Sequence, residues 1–354
     1  MANRVTVAGW VGSTNLGDEL LFRILKDLLG ARGVAVGGPS VDPAGTAAVH
    51  GTEAHGHLNP SALRHGLVAS DAFVFGPGGL LQDETGVWNL PYHLRRIRMA
   101  RRAGLPWAGI GLGADGLTTE RGRGQVRKAL VGHTAIAVRD EASFDALREL
   151  GVERIVRTAD LAFLAEVPQV SGDGVLGVCL RVPQSGRFRP GALDHAHRWP
   201  DGRADAMATA LDETARATGL TVRFLAFDAR SDGVVHRQVA ERMATAAEVV
   251  EPELDGLVAA LARVDAMATM RYHGAVLAAL GGAGVVALPF SPKLRSIADD
   301  LGPGATVLDE ADTGLPAAVT SVLEHRHHLA DHMDRLRTLA GRNVEVLDEL
   351  LEVS

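Results

Sequence analysis

Residues 265–302, DAMATMRYHGAVLAALGGAGVVALPFSPKLRSIADDLG, decide how the chain is expected to fold. Two short apolar runs, AMATM and VVALPF, alternate with two helical segments, HGAVLAALGGAG and KLRSIADDLG. Short apolar strands separated by helices are typical of βαβ units in a parallel sheet. The stretch therefore predicts an α/β domain with a doubly wound sheet.

The same alternation of strands and helices continues through the rest of the chain. A first series includes RVTVAG, DAFVFG, LPWAGIGLG and TAIAVRD, and a second begins at VLGVCLRV, after the polar, glycine-containing segment EVPQVSGDG. We therefore predict an N-terminal α/β domain at residues 1–168, a C-terminal α/β domain at 175–315, and helices at 316–354 that pack back. Tandem domains of this kind bind ligands in the crevice at the carboxyl ends of their strands.

Composition narrows the class of protein. Hydrophobic residues make up 46% of the 354 residues and charged residues 22%, which is typical of a globular protein, and no apolar run approaches the roughly 20 residues of a membrane span. The first residues lack the features of a leader, so a cytoplasmic protein is expected. A net charge of -7 argues against a nucleic-acid partner. The single cysteine, Cys179, is predicted to be a buried structural thiol.

The loop GWVGSTNLGDELL, residues 9–21, is rich in glycine, which raises the question whether it binds a nucleotide. Its glycine spacing differs from the dinucleotide-binding fingerprint, and it lacks the Gly-Lys-Ser/Thr of a P-loop. Asn15, Gly17 and Asp18 are predicted to form a turn and a helix N-cap. A loop that lines a binding site is the alternative, and the sequence leaves both open.

A second glycine-rich loop, FGPGGLLQDETG at residues 75–86, follows an apolar strand. Gly78 and Gly79 are expected at the carboxyl edge of the sheet, with their backbone N–H groups exposed there. Gln82 and Asp83 follow, a polar pair that a turn does not require. We predict that this loop belongs to a binding site, with a plain crossover turn as the alternative.

Cationic side chains follow successive strands of the second series. Arg181 closes its first strand, Arg271 and His273 stand between a later strand and helix, and Ser291 and Lys293 follow the next strand. Arginine offers a bidentate fork to carboxylate or phosphate, lysine a point charge, and histidine a proton near neutral pH. Together they predict a site for a small, strongly anionic ligand, whereas singly each would read as a solvated loop residue.

Other titratable residues receive structural interpretations. Asp140 is predicted to cap a helix, and Asp160 either caps a helix or faces the cleft. No metal site is predicted, because no carboxylate or cysteine completes a ligand set for the histidines. The histidines concerned form two groups, His50, His55, His57 and His65 in an expected glycine-rich loop, and His325, His327, His328 and His332 on an expected solvated helix.

In combination, GSTNLGDELL, GPGGLLQDETG, VRDEAS, ADLAF and the stretch quoted first resemble the polysaccharide pyruvyl transferase family, over roughly residues 5 to 310 in the same order. The resemblance implies a GT-B fold, in which two Rossmann-like domains face a cleft. It also implies transfer of the enolpyruvyl group of phosphoenolpyruvate to paired hydroxyls of a saccharide, forming a cyclic ketal in bacterial cell-wall polysaccharide biosynthesis. No cofactor or metal is implied beyond phosphoenolpyruvate as donor.

The resemblance also assigns residues. The family's R-x-H signature falls on Arg271 and His273, with Tyr272 where leucine is more usual, and its strand-end arginine and loop lysine fall on Arg181 and Lys293. The cations would hold the carboxylate and phosphate of the donor. His273 would act as general acid or stabilise phosphate charge.

The acceptor side is less defined. Asp18 or Asp83 is the hypothesis for orienting or deprotonating the acceptor hydroxyl, and loops at residues 40–66 and 183–203 are expected to set acceptor specificity. A lipid-linked acceptor would place the enzyme at the inner membrane face, where the basic residues Arg95, Arg96, Arg98, Arg101 and Arg102 could help, although an exposed helix face explains them as well. The oligomeric state stays open.

Two alternatives to a pyruvyl transferase remain, a GT-B glycosyltransferase that uses a nucleotide sugar and a non-catalytic binding relative.

Overall fold

The computed structural model describes residues 2–84, 86, 88–169, 172–182, 198–288, 292–308 and 314–354. Within them, two parallel sheets account for the two series of strands predicted from the sequence. The first sheet has the order β3-β2-β1-β4-β5-β6-β7, formed by β1 (Arg4–Ala8), β2 (Ala35–Ser40), β3 (Glu53–Gly56), β4 (Ala72–Phe75), β5 (Trp107–Leu112), β6 (Ile136–Val138) and β7 (Ile155–Arg157). The second has the order β10-β9-β8-β11-β12-β13, formed by β8 (Val175–Cys179), β9 (Thr221–Leu225), β10 (Ala247–Val250), β11 (Ala266–Thr269), β12 (Gly284–Ala287) and β13 (Ala305–Val307).

In each sheet the strand order reverses beside the first strand. β1 pairs with β2 on one side and β4 on the other, and β8 pairs in the same way with β9 and β11. Such a reversal opens a crevice at the carboxyl ends of the strands, since the connections on its two sides run to opposite faces of the sheet. The described residues that directly follow β1, β4, β8 and β11 are therefore placed to line a site.

Helices connect the strands and cover both sheets. They are α1 (Leu16–Gly30), α2 (Pro43–His50), α3 (Pro60–Val68), α4 (Asn89–Arg102), α5 (Glu120–Ala129), α6 (Glu141–Glu149), α7 (Asp201–Thr218), α8 (Asp232–Ala240), α9 (Leu254–Leu261), α10 (Tyr272–Leu280), α11 (Pro292–Leu301), α12 (Leu315–His325) and α13 (Leu329–Glu352). Short 3-10 helices lie at Leu161–Leu164, Gly302–Gly304 and Arg326–His328. None of the helices in the described part of the chain is both long and apolar enough to cross a bilayer.

The C-terminal helices divide between the two sheets. α12 packs on α7 and β12 of the second sheet, whereas α13 packs on β5 of the first. Asn343 fixes α13 there, because its side chain accepts a hydrogen bond from the Gly111 backbone N–H (3.0 Å) and donates one to the Ala159 carbonyl (2.9 Å). The domain boundaries drawn from the sequence stay predictions.

The segment between β2 and β4 was expected to be loop, and that expectation is wrong. It forms α2, β3 and α3 instead. Asp42 caps α2 by accepting from the Gly45 N–H, and Asn59 caps α3 by accepting from the Ala62 N–H. A proline stands at the first helical position in both, where its missing N–H costs no hydrogen bond. These caps start two helices that are too short to show a clear apolar period.

Candidate functional site

A cavity of about 840 Å³ lies at the carboxyl ends of both sheets. Side chains from the first domain line one wall and side chains from the second domain line the other. The first wall is formed by Trp10, Gly12, Ser13, Thr14, Asn15, Asp18, Val41, Asp42, Pro43, Gly79, Leu80, Gln82, Asn89, His93 and Arg139, and the second by Arg181, Phe227, Asp228, Arg230, Met270, Arg271, Tyr272, His273 and Lys293.

The opening loop performs both functions that the sequence left open. Asn15 caps α1, since its Oδ1 accepts from the Gly17 N–H (3.2 Å) and its Nδ2 donates to Asp18 Oδ2 (2.6 Å). Asn15 and Asp18 also line the cavity. The Leu16 N–H donates to the Phe227 carbonyl of the second domain (2.8 Å). The start of α1 is therefore fixed against the opposite wall.

His273 packs directly on the first turn of α1. A Cβ atom built on Gly17 would lie 2.0 Å from His273 Nδ1, so only glycine allows this approach. His273 is itself buried, at 9% exposure. The contact brings the imidazole of the second domain onto a helix of the first.

Gly17→Ala is therefore expected to destabilise the protein by about 1–3 kcal/mol, because the added methyl must displace the His273 ring. Gly30→Ala, in the last turn of the same helix, meets nothing within 4 Å and is the matched control. We expect it to be neutral or stabilising by about 0.4–1 kcal/mol, since alanine restricts the unfolded chain. Urea unfolding of both variants measures the difference, and equal stabilities would show that the contact is not tight.

A buried carboxylate faces the other side of His273. Asp160 Oδ1 lies 3.7 Å from His273 Nε2, an ion-pair distance beyond that of a hydrogen bond, and accepts from the Ala162 N–H (2.9 Å). Burial alone would raise the pKa of Asp160, but His273 and Arg139 lower it to about 2. Asp160 thus both caps the 3-10 helix that follows it and contacts the cleft histidine.

Arg139, at the end of β6, is a cavity residue that the sequence analysis missed. It is 4% exposed, and its guanidinium lies 3.6 Å from Asp115, 3.4 Å from Asp140 and 3.4 Å from Asp160. Its Cζ also lies 4.8 Å from the centre of the Tyr272 ring. Asp140 caps α6 as predicted, by accepting from the Ser143 N–H (2.7 Å). The charge of Arg139 is therefore matched by carboxylates of its own domain.

Arg271 is held by a second buried carboxylate that the sequence analysis also missed. Its Nε donates to Asp232 Oδ2 (3.0 Å) and its Nη2 to Asp232 Oδ1 (2.6 Å), and Asp232 is fully buried. Asp232 also accepts from the backbone N–H groups of Phe227 (3.1 Å) and Asp228 (3.0 Å). Burial would lower the pKa of Arg271, but Asp232 raises it. The guanidinium is consequently charged and fixed in orientation.

Two further predicted cations line the same wall in an environment that disfavours their charge. Burial, and then the charge of Arg271, lowers the pKa of Arg181 to about 10. Burial, and then the charge of Arg139, lowers the pKa of Lys293. A bound anion would relieve the repulsion among these groups. Ser291, predicted beside Lys293, lies outside the described residues.

The predicted carboxylates differ in placement. Burial raises the pKa of Asp18, against the opposing charges of His273 and Lys293. Asp83, by contrast, is not among the residues that line the cavity. Its oxygens accept from the backbone and hydroxyl groups of Thr118 and Thr119, at 2.5–3.2 Å, and these bonds lower its pKa although burial opposes them. Of the two, only Asp18 is presented to the cavity in the described structure.

The glycine-rich loop after β4 presents fewer backbone N–H groups to the cavity than expected. Gln82 and Gly79 line the cavity. The Gly78 N–H, expected to be exposed, donates instead to the Gly111 carbonyl (3.1 Å), because the chain here continues to pair with β5. In the described part of the chain, no group of three histidine, cysteine, aspartate or glutamate side chains could hold a metal ion.

Solved structures of similar fold cover nearly the whole chain. The HepE protein of Anabaena, solved with UDP-glucose, has a TM-score of 0.59 at 12% identity and covers 100% of this chain and 98% of its own. A UDP-glucose:anthocyanidin 3-O-glucosyltransferase with UDP has a TM-score of 0.60 at 11% identity, with 99% of each chain covered. S. aureus MnaA, solved with UDP, has a TM-score of 0.59 at 12% identity and covers 98% of this chain and 94% of its own. The fold is GT-B, as the resemblance implied.

No curated protein matches the sequence significantly. The model of the family described as polysaccharide pyruvyl transferase matches residues 15–292, a span that begins at the N-cap of α1 and includes Arg181, Arg271 and His273. On this match, which extends over more than three quarters of its length, the chain belongs to the polysaccharide pyruvyl transferase family.

Proposed function

We propose that the protein transfers the enolpyruvyl group of phosphoenolpyruvate to two hydroxyls of a saccharide and forms a pyruvate ketal. The observation that carries the proposal is the convergence of Arg181, Arg271 and Lys293 on one wall of the cavity, beside the imidazole of His273. Phosphoenolpyruvate has a carboxylate and a phosphate on a three-carbon frame, so a cluster of cations can bind both ends. Arg271 is suited to a bidentate contact because Asp232 fixes its guanidinium.

His273 is proposed as the general acid. It would deliver a proton to the methylene carbon of the donor, which makes the adjoining carbon an oxocarbenium-like electrophile. One hydroxyl oxygen of the saccharide bonds to that carbon, the bond to the phosphate oxygen breaks, and inorganic phosphate leaves. The second hydroxyl then closes the ketal ring. Of the two hydroxyl protons, one replaces the proton that His273 gave to the methylene carbon and the other leaves with the phosphate.

Two carboxylates would assist. Asp160 is proposed to position the imidazole of His273, since its Oδ1 lies 3.7 Å from Nε2. Asp18 is proposed to accept the proton of the attacking hydroxyl, because it lines the cavity and burial raises its pKa toward the range useful for a base. Asp83 is not proposed for this role, since its oxygens are engaged by Thr118 and Thr119.

Ligand binding tests the donor. Phosphoenolpyruvate at 100 times its Kd is expected to stabilise the folded protein by about 2.7 kcal/mol and to raise its melting temperature accordingly. UDP is the comparison ligand, because the solved proteins of similar fold are complexes with UDP or UDP-glucose. A shift with UDP and none with phosphoenolpyruvate would favour a nucleotide-sugar glycosyltransferase instead.

The variant Lys293→Met should lose most of the shift with phosphoenolpyruvate. Lys128→Met, on the exposed side of α5, is the matched control and should retain it. Phosphate release is then measured with and without an added saccharide. Release that depends on the saccharide indicates an enzyme, whereas a relative that only binds phosphoenolpyruvate releases none.

A further inference from the structure

We propose that Trp10 is the platform of an acceptor subsite that binds one uncharged hexopyranose ring by stacking. This inference rests on the proposed function and names where its saccharide binds. Trp10 lies in the loop after β1, is half-buried, and lines the first-domain wall of the cavity. The second-domain cations stand on the opposite wall.

Three aromatic rings hold the indole in place. His57, Tyr92 and His93 contact Trp10 edge to face, with ring centres 6.1–6.2 Å away and interplanar angles of 68–85°. The side chain also packs on the apolar core of the first domain. A tryptophan supported in this way loses little conformational entropy when a ligand binds, which is the property of a preorganised platform.

Buried Arg96 fixes this cluster to the loop backbone. Its Nη1 donates to the Gly9 carbonyl (3.2 Å), its Nη2 donates to the Tyr92 hydroxyl, and its Cζ lies 4.1 Å from the centre of the Tyr92 ring. The Tyr92 hydroxyl is also 2.6 Å from His57 Nδ1. Arg96 was expected on an exposed helix face, and this expectation is wrong, since the residue is 2% exposed. It ties α4 to the residue that precedes Trp10.

The two walls differ in charge in a way that suits two different substrates. The second wall has the basic side chains of Arg181, Arg230, Arg271 and Lys293. The first wall, to which Trp10 belongs, presents the neutral groups of Ser13, Thr14, Gln82 and Asn89, and its charged residues are Asp18, Asp42 and Arg139. Burial, and then the charge of Arg96, lowers the pKa of His93 to about 3, so this imidazole is neutral too. These neutral donors and acceptors fit a polyol, whose hydroxyls need both.

The ring chemistry and the space both fit a sugar. The faces of an indole are negative and the C–H bonds on one face of a pyranose are weakly positive, so the two stack. A cavity of about 840 Å³ is more than a three-carbon donor fills. Aromatic residues are scarce, at 4% of the chain. Even so, both tyrosines of the chain lie at this site, since Tyr92 contacts Trp10 and Tyr272 lines the cavity.

The test uses methyl β-glucopyranoside, methyl β-galactopyranoside and methyl β-mannopyranoside as acceptors, with phosphate release as the readout. Trp10→Ala is expected to raise the acceptor KM roughly tenfold or more, while Trp10→Phe keeps most of the affinity. Trp88→Ala is the matched control, because Trp88 is 76% exposed and does not line the cavity. The melting-temperature shift with phosphoenolpyruvate should be unchanged in all three variants.

The outcomes separate this inference from the proposed function. If the wild-type protein neither binds phosphoenolpyruvate nor releases phosphate, the proposed function fails. If it turns over with a glycoside and Trp10→Ala keeps the wild-type acceptor KM, the platform fails and the function stands. A wild-type protein that binds phosphoenolpyruvate but accepts none of the three glycosides overturns the hexopyranose subsite.

Discussion

The variant His273→Ala is expected to lower kcat for pyruvyl transfer by about 10²–10⁴-fold, the usual contribution of a positioned general acid. Its affinity for phosphoenolpyruvate should fall much less, because Arg181, Arg271 and Lys293 remain in the cavity wall. Phosphate release under saturating donor and acceptor measures kcat, and the thermal shift with phosphoenolpyruvate measures donor binding. A variant that turns over at nearly the wild-type rate would remove His273 from the mechanism.

Two controls make the His273 result specific. His327→Ala removes an exposed histidine of the C-terminal region and should leave turnover unchanged. Reaction in heavy water should place one deuterium in the methyl group of the ketal, because the methylene carbon receives its proton from a group that exchanges with solvent. This label reports proton addition at the methylene carbon, and the loss of turnover in His273→Ala then assigns the group that donates the proton.

The variant Asp232→Ala is expected to destabilise the protein by about 3–5 kcal/mol, since it leaves the guanidinium of Arg271 buried without its partner. The backbone N–H groups of Phe227 and Asp228 would lose their acceptor as well. Denaturant unfolding measures the loss. Asp228→Ala is the control, because Asp228 lies 3.9 Å from Arg271 and is more exposed, so its removal should cost far less.

A double variant separates the unpaired charge from a general loss of packing. Asp232→Leu combined with Arg271→Met removes both charges and should recover much of the stability, as replacement of buried ion pairs by apolar residues often does. The double variant should not bind phosphoenolpyruvate, because it lacks the guanidinium of Arg271. If the double variant is as unstable as Asp232→Ala, the cost does not come from the isolated guanidinium.

The two sheets and the cationic wall could be predicted from the sequence, for the same reason. Buried parallel strands appear as short apolar runs, and the residues that follow them must meet at one edge of the sheet. Arg181 and Arg271 could therefore be placed in the cleft from the ends of VLGVC and AMAT, the runs that form β8 and β11. Arg139 follows β6 in the same way, but its neighbour Asp140 was read only as a cap.

The groups that orient the site could not be predicted, because their partners are distant in sequence. Asp232 is 39 residues from Arg271, and its carboxylate is buried only through tertiary packing. Asp160 and His273 belong to different domains, and no local pattern states that they meet. For α2 and α3 a signal was present, since Asp42 and Asn59 each stand before a proline, which is how a capped helix begins.

The contacts of His273 with Gly17 and Asp160 join the two domains across the cleft. The histidine belongs to one domain, and the helix and carboxylate that flank it belong to the other. A rotation that opened the cleft to admit or release a saccharide would remove the histidine from both neighbours. In the proposed mechanism His273 would then be placed to give up its proton only while the cleft is closed, and phosphoenolpyruvate bound in an open form would be spared protonation and loss to water.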